Sequence, residues 1–223
     1  MKYNDPQLLQ SWEQRIVQYM QCMEYRTDDA SHDFSHFQRV WKTASQLVEH
    51  EADVNSLVVL AACYFHDIVV MPKNSPLRSK ASTLAAEKTE ECLYELGFPE
   101  ELIDSVCHSV KAHSFSAGIT PETIEAKIVQ DADRMEALGA IGLARCFYTG
   151  GLLKQKLFDP QDPMAESRDL NDRQYSLDHF ESKLLKLSGT MQTQAGKAMA
   201  EKNSNYLREF RAKLLRELDG DYS

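Results

Sequence analysis

The run from Leu57 to Phe65 constrains this chain more than any other feature: it is uninterrupted apolar sequence set between Asn55-Ser56 and His66-Asp67. Crossing a bilayer takes roughly 20 such residues, so a run this short must be buried in protein. Apolar residues elsewhere recur at helical spacing, and no stretch keeps up a two-residue alternation. The run therefore predicts a central helix that is apolar around most of its circumference. His66 and Asp67 emerge from its end, where an imidazole and a carboxylate need partners that an oily helix does not supply.

The flanking sequence predicts an all-α fold. A first helix is expected over about residues 6 to 25, with Leu8, Leu9, Trp12, Ile16, Val17 and Met20 on one side. A polar loop covers residues 27 to 32. A second helix, over about residues 33 to 50, puts Val40, Ala44, Leu47 and Val48 on its core face and His36 in its first turns. After the central helix, Pro72 and the segment Lys73-Asn74-Ser75-Pro76 read as a loop. A fourth helix runs from about Ser82 to Leu96 and stops at Gly97, a natural left-handed C-terminal position. Phe98-Pro99 opens a fifth helix to about His113. Thr120-Pro121-Glu122 supplies an N-cap and a first-turn proline for a sixth, through Leu138 to Gly139. Beyond Gly150-Gly151 the sequence turns polar, with a loop to Asp172 and then helices near residues 177 to 187 and 192 to 218. One domain is expected, with a motif core over about residues 30 to 140 and a helical extension over about 141 to 223 that could serve as a lid or a homodimer contact.

With 43% hydrophobic residues the chain can build one sizeable core. A net charge of -9 and the lack of a basic stripe disfavour long nucleic acid, but leave room for a small anionic substrate met by a metal and a few local cations. The N-terminal residues show no apolar export signal, so a cytoplasmic location without membrane attachment is expected. Five cysteines without a CxxC pair give no disulfide framework and read as small buried hydrophobes.

Taken alone, His66-Asp67 could equally be a hydrogen-bonded pair at a helix C-terminus, where histidine is favoured by the helix dipole. Its meaning changes when His36 lies one helix upstream and Asp131 and Asp133 lie on a largely apolar helix downstream. Two imidazoles and two carboxylates from three helices make a mixed nitrogen and oxygen site that suits Mn²⁺, Fe²⁺, Co²⁺, Ni²⁺ or Zn²⁺. On a helix Asp131 and Asp133 point about 200° apart, so they can hardly share one ion. No GxxxxGK[ST] phosphate loop is present, which removes the P-loop NTPases, and position 33 is Asp, so His32 and His36 do not form an HExxH zinc helix.

The ordered set His36-Phe-Gln-Arg39-Val40, His66-Asp67 and Ile128-Val-Gln-Asp-Ala-Asp133-Arg134-Met135 resembles the H…HD…D signature of the HD superfamily of metal-dependent phosphohydrolases. The strings His66-Asp-Ile-Val, Ala112-His-Ser-Phe-Ser and Asp131-Ala-Asp-Arg-Met-Glu-Ala-Leu-Gly-Ala-Ile-Gly are similar to a small bacterial branch, the YedJ-like group. The resemblance implies an HD-type helical core, a divalent ion (Mn, Co, Ni, Fe, Mg or Zn) and hydrolysis of a phosphate ester or anhydride. It makes a nucleotide, such as a deoxynucleoside triphosphate, the leading substrate class.

It also implies His36, His66, Asp67 and Asp133 as metal ligands, with Asp131 as the alternative ligand or as an acceptor for a ligating histidine. Asp67 or Asp131 would take the proton from water. Small residues around Asp133 (Ala126, Ala137, Ala140) suit the close approach of a second helix. Arg39, Arg78, Lys80, Lys111, His113 and Arg134 are candidates to meet phosphate, and His108 and His113 to support a second metal or to orient the ligands of the first. His32, His50 and His179 read as surface or cap residues. Two other readings stand beside hydrolysis: a di-iron oxygenase of the same fold, and a noncatalytic nucleotide-sensing module.

Overall fold

The computed structural model describes residues 3–23, 33–69, 71, 80–114 and 117–223. The regular structure of the described residues is helical, with one isolated bridge, Lys156 to Tyr175, and no strand pairing beyond it. Among them no helix is long and apolar enough to cross a membrane. The chain divides into two compact units, Met1–Asp133 and Arg134–Ser223.

In the first unit, α1 (Pro6–Cys22), α2 (Phe34–Val48), α3 (Ser56–Phe65), α4 (Ala81–Glu95) and α5 (Glu100–Ala112) are joined by α6 (Ile124–Met135), whose last turn reaches past the unit boundary. Every residue of α3 is buried. Helices α1, α2, α4 and α5 all pack on it. That burial is the consequence of the apolar run, since each large side chain taken from water contributes about 1.5–3 kcal/mol.

Helix starts are set by short polar side chains. The Asp5 carboxylate caps α1 by accepting from the Leu8 N–H, and Pro6 follows at the first helical position. Asn55 accepts from the Leu57 and Val58 N–H groups and fixes the start of α3. Asp33 caps α2 by accepting from the N–H of His36 itself. At the other end of α4, Gly97 takes φ +62°, Phe98 N–H donates to the Leu93 carbonyl and Gly97 N–H to that of Tyr94. This is the Schellman pattern, and only glycine adopts that backbone without strain.

The second unit contains α7 (Gly139–Leu152), α8 (Asp178–Ser182), a 3-10 segment Leu184–Thr190 and the long α9 (Gln194–Leu218). Its core gathers Leu138, Leu177, Phe180, Leu184, Leu187, Ala200 and Leu207, with Phe147 and Phe210 against them. The polar loop before α8 is organised by Arg168, which grips the buried Asp178 carboxylate through both terminal nitrogens at 2.6 and 2.9 Å. The same carboxylate accepts from the Asn171 N–H.

Four boundaries differ from the sequence expectation. α6 starts at Ile124, with Thr123 Oγ1 accepting from the Ala126 N–H, instead of behind Thr120-Pro121. α6 ends at Met135, because the chain turns through residues 136–138 and restarts at Gly139 with φ +62°. The helix expected over residues 177 to 187 is a five-residue turn of α-helix followed by the tighter 3-10 segment. α1 ends at Cys22. The expected loops at residues 27 to 32 and 73 to 76 lie outside the described residues.

Candidate metal centre

Four elements of the first unit deliver side chains to one small volume. His36 is the third residue of α2, placed there by the Asp33 cap on its own N–H. His66 is the C-cap of α3 and Asp67 the next residue. His113 is the C-cap of α5. Asp133 lies in the last turns of α6.

His36 Nε2 and His66 Nε2 are 3.1 Å apart. Asp133 Oδ1 lies 3.6 Å from the first and 3.5 Å from the second. The circle through those three atoms has a radius of about 2.0 Å, the length of a bond from zinc to nitrogen or oxygen. The Asp67 carboxylate lies beside this triangle, with Oδ2 3.8 Å from His66 Nε2 and Oδ1 3.3 Å from His113 Nε2. The rings of His66 and His113 are 4.8 Å apart, and Phe37 packs edge-on against His66.

Two of the histidines have their tautomers fixed by backbone. His66 Nδ1 lies 2.9 Å from the Cys63 carbonyl and His113 Nδ1 2.6 Å from the Val110 carbonyl. A carbonyl only accepts, so each Nδ1 carries a proton and, in a neutral ring, Nε2 presents its lone pair to the cluster. Nitrogen ligands of metals are oriented in this way. The donor set, its spacing and this tautomer all fit a divalent cation.

The electrostatics point the same way. Burial by itself would lower the His66 pKa, but the charge of Asp67 and then the hydrogen bond and charge of Asp133 outweigh it and raise the pKa to about 9. Burial pushes the Asp133 carboxyl up, yet His66, by hydrogen bond and charge, and the charges of His113 and His36 hold it well below the usual range. Asp67 is depressed for the same kind of reason, with the His66 charge opposing burial, helped by His113. The two carboxylates supply the negative charge that a cation would meet, and the imidazoles supply lone pairs once deprotonated. Cys63 contributes its carbonyl only, because burial and then the Asp133 charge drive its thiol well above the ordinary value.

Exposure shows where the site opens. The side chains of His36 and His66 are 1% and 0% exposed, whereas those of Asp133 and Asp67 are 26% and 30% exposed. The cluster is thus open to solvent on the carboxylate side.

The other sequence candidates are placed as follows. Asp131 is buried at 0% exposure, and on His66 and His113 the position it was expected to fill as acceptor is taken by the carbonyls of Cys63 and Val110. His108 Nε2 accepts from the Glu122 N–H, which ties it to the connection into α6. Arg134 opens the second unit and there donates to the Thr190 carbonyl. Arg39 is half-buried and donates to Ser35 Oγ one turn before it. Lys80 and Lys111 are exposed. Arg78 and His32 lie outside the described residues. His50 is exposed, and His179 pairs with Asp172 at 3.1 Å.

Sequence reasoning passed over Gln130, which is 2% exposed and donates from Nε2 to the Ala112 carbonyl at 2.7 Å. The signal for it was a polar side chain four residues after Ala126 and three before Asp133, on a face otherwise built for burial.

An all-helical unit that gathers a histidine, a His-Asp pair and a downstream aspartate around one point has the arrangement of an HD domain. The HD domain family matches residues 33–138. The chain is 30% identical over 218 residues to the Bacillus subtilis protein YpgQ, covering 95% of this chain and 93% of that one. A crystal structure of an HD-superfamily hydrolase from Bacillus thuringiensis superimposes with a TM-score of 0.72 at 32% identity, covering 96% of this chain and 100% of that one. The crystal structure of B. subtilis YpgQ in complex with ADP gives 0.71 at 27% identity, covering 94% and 95%. This chain belongs to the HD superfamily, a group of metal-dependent hydrolases.

Proposed function

We propose that the protein is a metal-dependent phosphohydrolase acting on a nucleotide, with His36, His66 and Asp133 as the three innermost metal ligands and Asp67 as a fourth. The observation that carries this reading is the triangle of Nε2, Nε2 and Oδ1 atoms with sides of 3.1, 3.5 and 3.6 Å. A bound divalent ion would lower the pKa of its water toward neutrality and polarise a phosphoryl oxygen.

The chain's own groups then divide the remaining work. Asp67 reaches the exposed side of the site, so its carboxylate holds the attacking water by hydrogen bond and takes its proton. Asp131, closed off from solvent, is left as a support for the fold around the site, not as the base. His113, with its Nδ1 proton committed to Val110, presents Nε2 to Asp67 and steadies that carboxylate. Arg39, half-buried one turn after His36, and the exposed Lys80 and Lys111 supply positive charge for the anionic end of the substrate.

The nucleotide assignment is supported by the ADP complex of the similar B. subtilis YpgQ. The strings around His66, His113 and Asp131 support the finer placement in the YedJ-like branch. The experiment is metal analysis of the purified protein, followed by a phosphate and pyrophosphate release screen over nucleoside and deoxynucleoside mono-, di- and triphosphates with Mn²⁺, Co²⁺, Ni²⁺ and Mg²⁺. Turnover that disappears on chelation supports the reading. Tight nucleotide binding without turnover in all four metals would instead favour a sensing module, and oxygen uptake by a two-iron form an oxygenase.

A further inference from the structure

We propose that Gln130 is a positioning residue for His113, locking the end of α5 to the helix that carries Asp133. The proposal rests on the functional reading above for its consequence, but the geometry that motivates it is independent of any substrate.

A helix ends with four carbonyls that have no partner within it. At the end of α5, the Val110 carbonyl accepts from the His113 ring and the Ala112 carbonyl from the Gln130 side chain. The ring's Nδ1 is thus bonded back onto its own last turn, the part of a helix that frays first, while its Nε2 faces Asp67 at 3.3 Å and the ring packs against that of His66. Those contacts hold the ring but not the backbone turn that carries it, and opening of that turn breaks the register with Asp67. The Gln130 amide ties the turn itself, and it comes from α6, one turn before Asp133.

The opposite end of α6 is held in a related way, since Glu125 Oε1 accepts from the Asn55 N–H at the start of α3. α6 is therefore tied to α3, whose end carries His66 and Asp67, and to α5, whose end carries His113. The first tie sets α6 against the helix that supplies two acidic and imidazole donors. The second holds the backbone turn from which His113 projects. A buried amide is retained at such a position only when its hydrogen bonds are made. An apolar side chain of the same length would fill the space and remove the donor, leaving the His36, His66 and Asp133 triangle in place.

The test compares Gln130→Met with the parent as full-length, Zn²⁺-loaded protein. In proton–nitrogen spectra, the His113 Nδ1–H exchanges with solvent faster by about tenfold in the variant, as the last turn of α5 opens more often. The His66 Nδ1–H signal and the Zn²⁺ affinity stay within about threefold of the parent, because their ligands are not in this turn. With the best phosphate substrate, kcat falls about tenfold at nearly constant KM. The same change in a His113→Asn background brings no further loss.

Unchanged His113 exchange, or a full extra loss in the His113→Asn background, overturns the proposal even if Gln130→Met lowers the melting temperature. Should the Met variant fail to fold, Gln130→Glu removes the donor at the same length and is read in the same way. If the parent hydrolyses no phosphate compound, the functional reading fails, and the exchange comparison alone decides on Gln130.

Discussion

Metal uptake should release protons, and the amount at each pH follows from the environment of His66. With its pKa raised to about 9 by Asp67 and Asp133, this ring carries a proton at neutral pH in the chelated protein, and a cation must displace it. At pH 8 the ring is about 90% protonated, against about 3% for an imidazole of ordinary pKa. Each ion bound at pH 8 should therefore release about 0.9 proton from His66, falling to about 0.5 at pH 9. The apparent affinity should rise about fiftyfold from pH 7 to pH 9 and level off above, a gain of about 2.3 kcal/mol. Titration calorimetry with Zn²⁺ in buffers of different ionisation heat reads the proton count directly. A release close to 0.03 proton at pH 8, with an affinity already flat from pH 7.5, would refute the claim that the two carboxylates hold a proton on His66.

The same shift acts on the fold. Because the folded pKa of His66 lies above its unfolded value, its contribution, on the order of 3 kcal/mol, is complete below about pH 6.5 and is lost as pH rises through about 9. Urea melts of chelated protein at pH 6.5 and 9 should show the decline, and bound Zn²⁺ should abolish it. Asp133→Asn should weaken Zn²⁺ binding by about a hundredfold or more, and Asp131→Asn by less, since Asp133 Oδ1 lies within 3.6 Å of both Nε2 atoms; equal losses in calorimetry would count against the ligand assignment. Gly97→Ala should cost about 1–2 kcal/mol through backbone strain alone, because a Cβ there meets nothing while φ is +62°; thermal melts without change in metal content would show it. Arg168→Met should lower the midpoint of denaturant unfolding by removing the bidentate partner of the Asp178 carboxylate, and an unchanged midpoint would mean the loop relaxes around it.

What could be read before the structure was whatever depends on local chemistry. The apolar run of α3 could only be buried, Asp33 and Asn55 are ordinary caps, and Gly97 announces a left-handed turn. The helical distance between Asp131 and Asp133 showed that they must part company, and the structure puts Asp133 against the imidazoles while closing Asp131 into the interior. Less legible were features set by tertiary packing. The restart at Gly139 follows from a break after Met135 that helical periodicity does not register. His108 and His113 look alike in sequence, yet one is drawn to the Glu122 N–H and the other faces Asp67. The acceptors that orient His66 and His113 are backbone carbonyls, which carry no signature in residue identity.

If one divalent ion sits among His36, His66 and Asp133, anomalous diffraction from crystals grown with Mn²⁺ will show a single strong peak within about 2.3 Å of both Nε2 atoms and of the Asp133 carboxylate. A peak held elsewhere, or none at those three side chains at saturating metal, would rule that site out.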